Sequence, residues 1–452
     1  MSSSVYDRAF RTRGVRIVEN VQKRETFSLL ERAQWIDTLP SEKRRALFER
    51  ELRSTLVMAA KSPLYSAFVQ GENLASNTSC PWEMLSRVPV LTKSRLREEG
   101  GNHVLQPVNR KPGFVVTSGS TGEPLKTPVD GYLQSYGMTG MLYGRSWFGL
   151  DPGARAFNVW GHGNGLGQGL RKSVYLIKGR IKDAVMNRIV FPAYDLSDQN
   201  LHQLVSRLML WGPDYLLGYS SSIATVASYV LQEGIKLPKM KAVLVTGEML
   251  FDHQIPMLES AFNCPIISEY GLSEVTVLGY GVAGKPIRIL DNYCVLEILN
   301  QKDQPVLLGE EGRIVVTILG LHDVPIVRYD TGDRATELQS HWRGEIVRSI
   351  GPIQGRGYDV IQGTKGSISG VIFTHALKVI AEIERYQIVQ NEVGRVEILL
   401  QTRRDIENSI LTEVARKIYD ATDHSVEVAF RQVRRILVEP SGKFRWIKSH
   451  VR

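Results

Sequence analysis

From about residue 110 to about residue 290, short β-like runs and helical patterns take turns along the chain. FVVTS (114–118), RAFNVW (155–160), DYLLGY (214–219), KAVLVTG (241–247) and CPIISEYG (264–271) are brief and rich in β-branched or aromatic residues. These favour a pleated, half-buried surface. Between them, SDQNLHQLVSRLMLW (197–211) and SSIATVASYVLQEG (221–234) repeat apolar residues at helical spacing. The alternation predicts an α/β sheet, and in such sheets ligands bind at the carboxyl ends of the strands.

The flanks read differently. SLLERAQWIDTL and SEKRRALFERELRSTLVMAAKS predict helices near residues 25–70, with Ser41 as an N-cap and Pro63 as a stop. Residues 285–350 turn β-rich in KPIRILDNYCVLEIL, EGRIVVTIL and VPIVRYDTGD. After IQGRGYD the pattern changes again, to a small α+β domain joined near Gly355–Gly357. At 452 residues the chain exceeds one ordinary core. The expected architecture is therefore α/β, with a large multi-subdomain N-terminal domain over 1–355 and a small α+β C-terminal domain over 356–452.

The net charge of +9, from 56 basic and 47 acidic residues, suits an anionic substrate such as a nucleotide and equally a solvated surface. No basic stripe interleaved with aromatics argues for nucleic acid as a partner. The polar N-terminus lacks the apolar core of a secretory signal, and no apolar run is long enough for a bilayer. A cytoplasmic protein without membrane insertion is expected. Three dispersed cysteines suggest neither a zinc knuckle nor a disulfide framework.

The stretch VVTSGSTGEPLK (115–126) reads as a strand that ends in a loop of small hydroxyls and glycines. Such a loop offers N–H and O–H donors to a phosphate, with lysine as countercharge, although an ordinary polar turn has the same composition. Gly279–Gly284 satisfies GxGxxG, but Lys285-Pro286 and a β-rich stretch follow instead of the helix a dinucleotide fold needs. Four further segments follow in order: Val245-Thr246-Gly247-Glu248; Ser268-Glu269-Tyr270-Gly271-Leu272-Ser273-Glu274; Val327-Arg328-Tyr329-Asp330-Thr331-Gly332-Asp333; and, in the C-terminal part, Gly355-Arg356-Gly357-Tyr358-Asp359 with Ser441-Gly442-Lys443-Phe444-Arg445. Singly, each has a bland explanation as a helix start, a turn, a surface cation or a basic tail.

Together, their order and spacing resemble the adenylate-forming superfamily of acyl-CoA synthetases, peptide-synthetase adenylation domains and luciferases. The likeness is greatest to its phenylacetate–CoA ligase-like branch, which includes capsular polysaccharide biosynthesis proteins. The resemblance implies that Thr117, Ser118, Gly119, Ser120, Thr121 and Gly122 hold the triphosphate of ATP, with Lys126 nearby. It implies that Tyr270 stacks on adenine, with Gly247 and Glu248 along the base edge and Glu269, Gly271 and Ser273 around it. Glu274 matches the magnesium-binding carboxylate, Asp333 the acid that takes the ribose hydroxyls, and Arg356 a guanidinium near ribose or phosphate. Lys443 matches the catalytic lysine of a mobile C-terminal lid. Family loops usually end Pro-Lys-Gly, whereas this one ends Pro124-Leu125-Lys126.

The resemblance implies an ATP- and Mg2+-dependent ligase that activates a carboxylic acid, with an aryl acid favoured, as acyl-AMP. The acyl group would pass to CoA, a carrier-protein thiol or an amine. A nucleotidyltransferase that places AMP on a hydroxyl and a non-catalytic nucleotide-binding scaffold are the competing readings.

Overall fold

The computed structural model describes residues 3–69, 80–99, 113–116, 126–161, 179–193, 196–320, 323–338, 349–353, 360–369, 371–377, 380, 382–402, 404–438 and 444–451. Contacts divide the chain into two compact units. One comprises Met1–Trp160 and Gly165–Gln354, the other Gly161–Asn164 and Gly355–Arg452.

The larger unit opens with helices Ser3–Val21, Thr26–Asp37 and Ser41–Ala59. Ser41 is the first helical residue and Pro40 stands at the cap position, so the predicted N-cap lies one residue late. Pro63, predicted as a stop, instead opens the helix Pro63–Val69. The locked φ of proline suits a first turn, where the missing N–H has no helical partner to lose.

The strands of this unit are β1 (Gly113–Val116), β2 (Lys126–Val129), β3 (Ala156–Trp160), β4 (Arg188–Pro192), β5 (Tyr215–Tyr219), β6 (Ala242–Thr246), β7 (Ile266–Leu272), β8 (Thr276–Val282), β9 (Ile287–Ile289), β10 (Cys294–Leu299), β11 (Glu311–Ile318), β12 (Tyr329–Thr336) and β13 (Ser349–Ile350). Eight of them form one sheet in the order β13-β9-β8-β7-β6-β5-β3-β4. The half from β4 to β7 is parallel, and β8, β9 and β13 add to it antiparallel. Every residue of β5 and β6 is buried. Covered parallel strands require such continuous apolar runs, and this is why YLLGY and AVLVT show little alternation.

On one face lie the helices Asp198–Trp211, Ser220–Gln232 and Ile255–Phe262, whose Leu204, Leu208, Ile223, Val226 and Leu258 close a core with Phe157, Leu216 and Val243. The helix Gly131–Ser146 contributes Leu133, Tyr136 and Tyr143 to the second core. Gly144 lets this helix lie against β8, because a Cβ there would stand 2.2 Å from the Tyr280 ring. The GxGxxG glycines Gly279 and Gly281 sit inside β8, and Gly284 takes a φ of +72° in the turn to β9. No helix follows, as the sequence reading expected.

A second, antiparallel sheet runs β10-β11-β12, with an irregularity between Arg313 and Val315. Leu91 bridges to Tyr329 alongside β12, which brings the segment ahead of residue 93 to that strand. Arg328, at a φ of +48°, turns a buried guanidinium onto Glu297 (3.1 Å) and the carbonyls of Ser86 (3.1 Å) and Val88 (2.7 Å).

The smaller unit has a hairpin of β14 (Val360–Gly363) and β15 (Gly366–Ser369), and a four-stranded sheet. The sheet comprises β16 (Ile383–Glu392), β17 (Arg395–Thr402), β18 (Glu427–Val433) and β19 (Ile447–Ser449), in the order β18-β17-β16-β19. The amphipathic helix Asn408–Ala421 buries Leu411, Val414 and Ile418 in one cluster with Ile398 and Leu400. Among the described residues no helix is long and apolar enough to cross a membrane.

Candidate nucleotide-binding site

Of the side chains singled out in the larger unit, Glu269 and Tyr270 lie within β7, Asp333 lies within β12, and Glu248, Ser273 and Glu274 lie just beyond strands β6 and β7. Gly247, directly after β6, has a φ of +75°, a left-handed conformation that glycine adopts without strain. The next residue, Glu248, accepts a hydrogen bond at Oε2 from Ser221 N (2.9 Å), and its carbonyl accepts one from Ser220 Oγ (3.2 Å). A carboxylate at a helix N-terminus satisfies an orphan N–H and complements the helix dipole, so Glu248 caps the helix Ser220–Gln232 from outside it.

Strand β7 carries Glu269, Tyr270 and Gly271. Their side chains alternate in direction, as a period of two requires. Glu269 turns toward the helix Gly131–Ser146, where its Oε2 accepts from Arg145 Nε (3.1 Å), Arg145 Nη2 (2.8 Å) and the Tyr280 hydroxyl (2.8 Å). Burial alone would push the Arg145 guanidinium down. Glu269, Tyr215 and Tyr280 outweigh that and hold it well above its ordinary value. Burial, with Glu269 beside it, likewise raises the Tyr280 phenol well above its usual range.

Tyr270 points the other way. Its hydroxyl donates to Asp333 Oδ2 at 3.1 Å and lies 3.4 Å from Thr331 Oγ1. The ring expected beneath adenine and the acid expected at the ribose are thus tied together. A Cβ on Gly271 would lie 2.5 Å from the Thr276 carbonyl, so the turn through Ser273 and Glu274 is tight, with Ser273 exposed and Thr276 at a φ of +68°.

Strand β12 explains why these groups converge. Its residues are buried alternately, so Tyr329, Thr331 and Asp333 share one face. Thr331 and Asp333 meet Tyr270, and the Tyr329 hydroxyl donates to Glu274 Oε1 at 3.3 Å. The Lys93 ammonium approaches the same oxygen at 3.4 Å. Glu274 is 3% exposed, which makes its surroundings decisive for its charge. Neither Lys93 nor Arg145 was among the sequence candidates. The signal for Lys93 was only its place just after Thr92, whose hydroxyl caps the helix Lys93–Glu98 by accepting from Arg95 N at 3.2 Å.

Lys126 begins β2, paired with Val116 at the base of the Ser/Gly-rich loop, and its exposed ammonium rests 4.3 Å from the centre of the Phe114 ring. Thr117, Ser118, Gly119, Ser120, Thr121 and Gly122 of that loop, together with Arg356 and Lys443, lie outside the described residues. Among the described residues no three His, Cys, Asp or Glu side chains cluster as a closed metal cage. A lone buried carboxylate nevertheless fits magnesium, which commonly takes one or two carboxylates and completes its shell with phosphate oxygens and water.

Comparison with known proteins bears on the chain and its fold. Residues 360–450 match the family model of the CapK C-terminal domain. The chain is 24% identical over 408 residues to protein CapK of Staphylococcus aureus, covering 86% of each chain. It is 23% identical over 434 residues to phenylacetate-coenzyme A ligase of Thermus thermophilus, covering 90% of this chain and 92% of that one. Among solved structures, 2-hydroxyisobutyryl-CoA ligase in the postadenylation state with R3-HIB-AMP superposes with a TM-score of 0.69 at 16% identity, covering 91% of this chain and 90% of that one. The chain is thus similar in sequence to CapK and to a phenylacetate-coenzyme A ligase, and its mixed sheet with a smaller C-terminal unit is similar in fold to an adenylate-forming CoA ligase.

Proposed function

We propose that this adenylate-forming ligase uses ATP and magnesium to activate a carboxylic acid as acyl-AMP and then transfers the acyl group to CoA. The observation that carries the reading is the convergence of Tyr270 from β7 and Glu274 from the turn after it with Asp333 and Tyr329 on one face of β12. In this reading Asp333 takes the ribose hydroxyls, Glu274 holds magnesium, Gly247 and Glu248 flank the base, and the 117–122 loop and Arg356 meet phosphate. Lys443 neutralises the two anions that must meet when a carboxylate attacks the α-phosphate. CoA is favoured as acceptor because the superposed 2-hydroxyisobutyryl-CoA ligase and the phenylacetate-coenzyme A ligase are both named for it. An aryl acid is the preferred substrate by the likeness to phenylacetate-coenzyme A ligase alone, and the proposed location is the cytoplasm.

The test is ATP–pyrophosphate exchange across aryl, fatty and amino acids, with and without CoA. Acid-dependent exchange, with CoA consuming the adenylate, is the expected result. Exchange that no acid stimulates would overturn the reading, and AMP found covalently on an acceptor hydroxyl would replace it with nucleotidyl transfer. Asp333→Ala should weaken ATP binding by about 1.5–3 kcal/mol through lost charge-assisted hydrogen bonds. Calorimetric titration with ATP checks this, with Tyr270→Phe as a control that keeps the ring and removes the hydroxyl bonded to Asp333.

A further inference from the structure

Among the described residues, one of the chain's own cations pairs with Glu274. Lys93 Nζ stands 3.4 Å from Glu274 Oε1, and the two side chains are 20% and 4% exposed. Among the described residues, the contacts to the carboxylate from Lys93 and from the Tyr329 hydroxyl fall on this same oxygen. A carboxylate so buried is costly to keep charged without a counterion. An ammonium and a divalent cation are alternative counterions, and both seek the same lone pairs.

We propose that Lys93 is the placeholder cation of Glu274: it neutralises the carboxylate while the site is empty and gives up Oε1 when magnesium arrives. The inference rests on Glu274 being the metal ligand. It has a consequence for order. Bare magnesium must displace an ammonium and keep most of its water, whereas magnesium carried by a triphosphate brings its own oxygen ligands and a new anionic partner for the freed lysine. Metal loading therefore waits for the nucleotide. Lys93 acts on the metal through Glu274 and is a positioning residue. Its place is held by the Thr92 cap and by the bridge of Leu91 to Tyr329.

The experiment uses the full chain and Mn2+ as the probe, with free Mn2+ counted by electron paramagnetic resonance in the absence of nucleotide. Lys93→Met should bind Mn2+ about tenfold more tightly than the unaltered protein, the scale of one charge-assisted contact. Lys93→Arg, which keeps the charge, should stay close to the unaltered protein. Lys93→Gln makes the same comparison where methionine disturbs the helix start. Glu274→Gln should erase the gain when combined with Lys93→Met. Equal or weaker Mn2+ binding by Lys93→Met, with binding still dependent on Glu274, overturns the placeholder alone. Mn2+ binding that Glu274→Gln leaves untouched overturns the metal assignment as well.

Discussion

Lys443→Ala should slow adenylate formation about 10²–10³-fold while ATP still binds, the usual cost of removing one preorganised charge-stabilising group. The acid's carboxylate and the α-phosphate are both anionic, so their approach is opposed until a cation stands between them. An ammonium can do this only if its backbone is held firmly, and the residues just after Lys443 are anchored. Phe444 is buried, packs edge-on to Trp446 at 4.9 Å, and lies under the Arg385 guanidinium at 4.7 Å. Gln387 Nε2 donates to the Arg445 carbonyl at 2.6 Å, and Ile388 N donates to that of Trp446. Single-turnover formation of acyl-AMP, measured beside ATP titration, separates the catalytic loss from a binding loss. Unchanged adenylation would remove Lys443 from its assigned role.

The second large effect concerns stability. Arg145→Met should destabilise the larger unit by about 3–5 kcal/mol, because it strands a buried carboxylate. The pair is 13% and 8% exposed, so little of its interaction is screened by water. Arg145 also donates to the Tyr215 hydroxyl at 3.2 Å, and the Tyr280 hydroxyl shares Glu269, so the loss spreads across β5, β7 and β8. Replacing both partners with apolar residues, Arg145→Met with Glu269→Leu, should recover much of the loss, since no unpaired charge remains. Urea unfolding of the two variants checks this. Equal stability of Arg145→Met and the unaltered chain would show that the pair contributes nothing net.

These two residues mark the boundary of what the sequence made legible. The runs YLLGY and AVLVT could be read as buried strands because burial on both faces leaves a local signature. The segment Tyr329 to Asp333 reads only as part of a β-rich stretch, and its alternate burial came with the fold. Local patterns report which way a side chain faces and not what it meets. Arg145 and Glu269 are 124 positions apart, and nothing near either names the other. Lys93 sits in an unremarkable helix start, and only the bridge from Leu91 to Tyr329 brings it to Glu274. Ser41 and Pro63 failed for a different reason, since a residue that can begin a helix reads much like one that precedes or ends it. The likeness to a family pointed to Tyr270, Glu274 and Asp333. The hydroxyl bond between Tyr270 and Asp333 came only with the fold.

Glu248 carries an evolutionary consequence. On the proposed reading it borders the nucleobase, and its carboxylate also holds the Ser221 N–H at the start of a helix. A lineage drifting toward a different nucleotide has no independent handle at this position, because each exchange there also loosens the helix Ser220–Gln232. Specificity can shift only along routes where a new cap appears first, for instance an acidic residue arising at the helix start itself. Preference for the base and tolerance to heat are therefore inherited together at this residue, and selection for either one constrains the other.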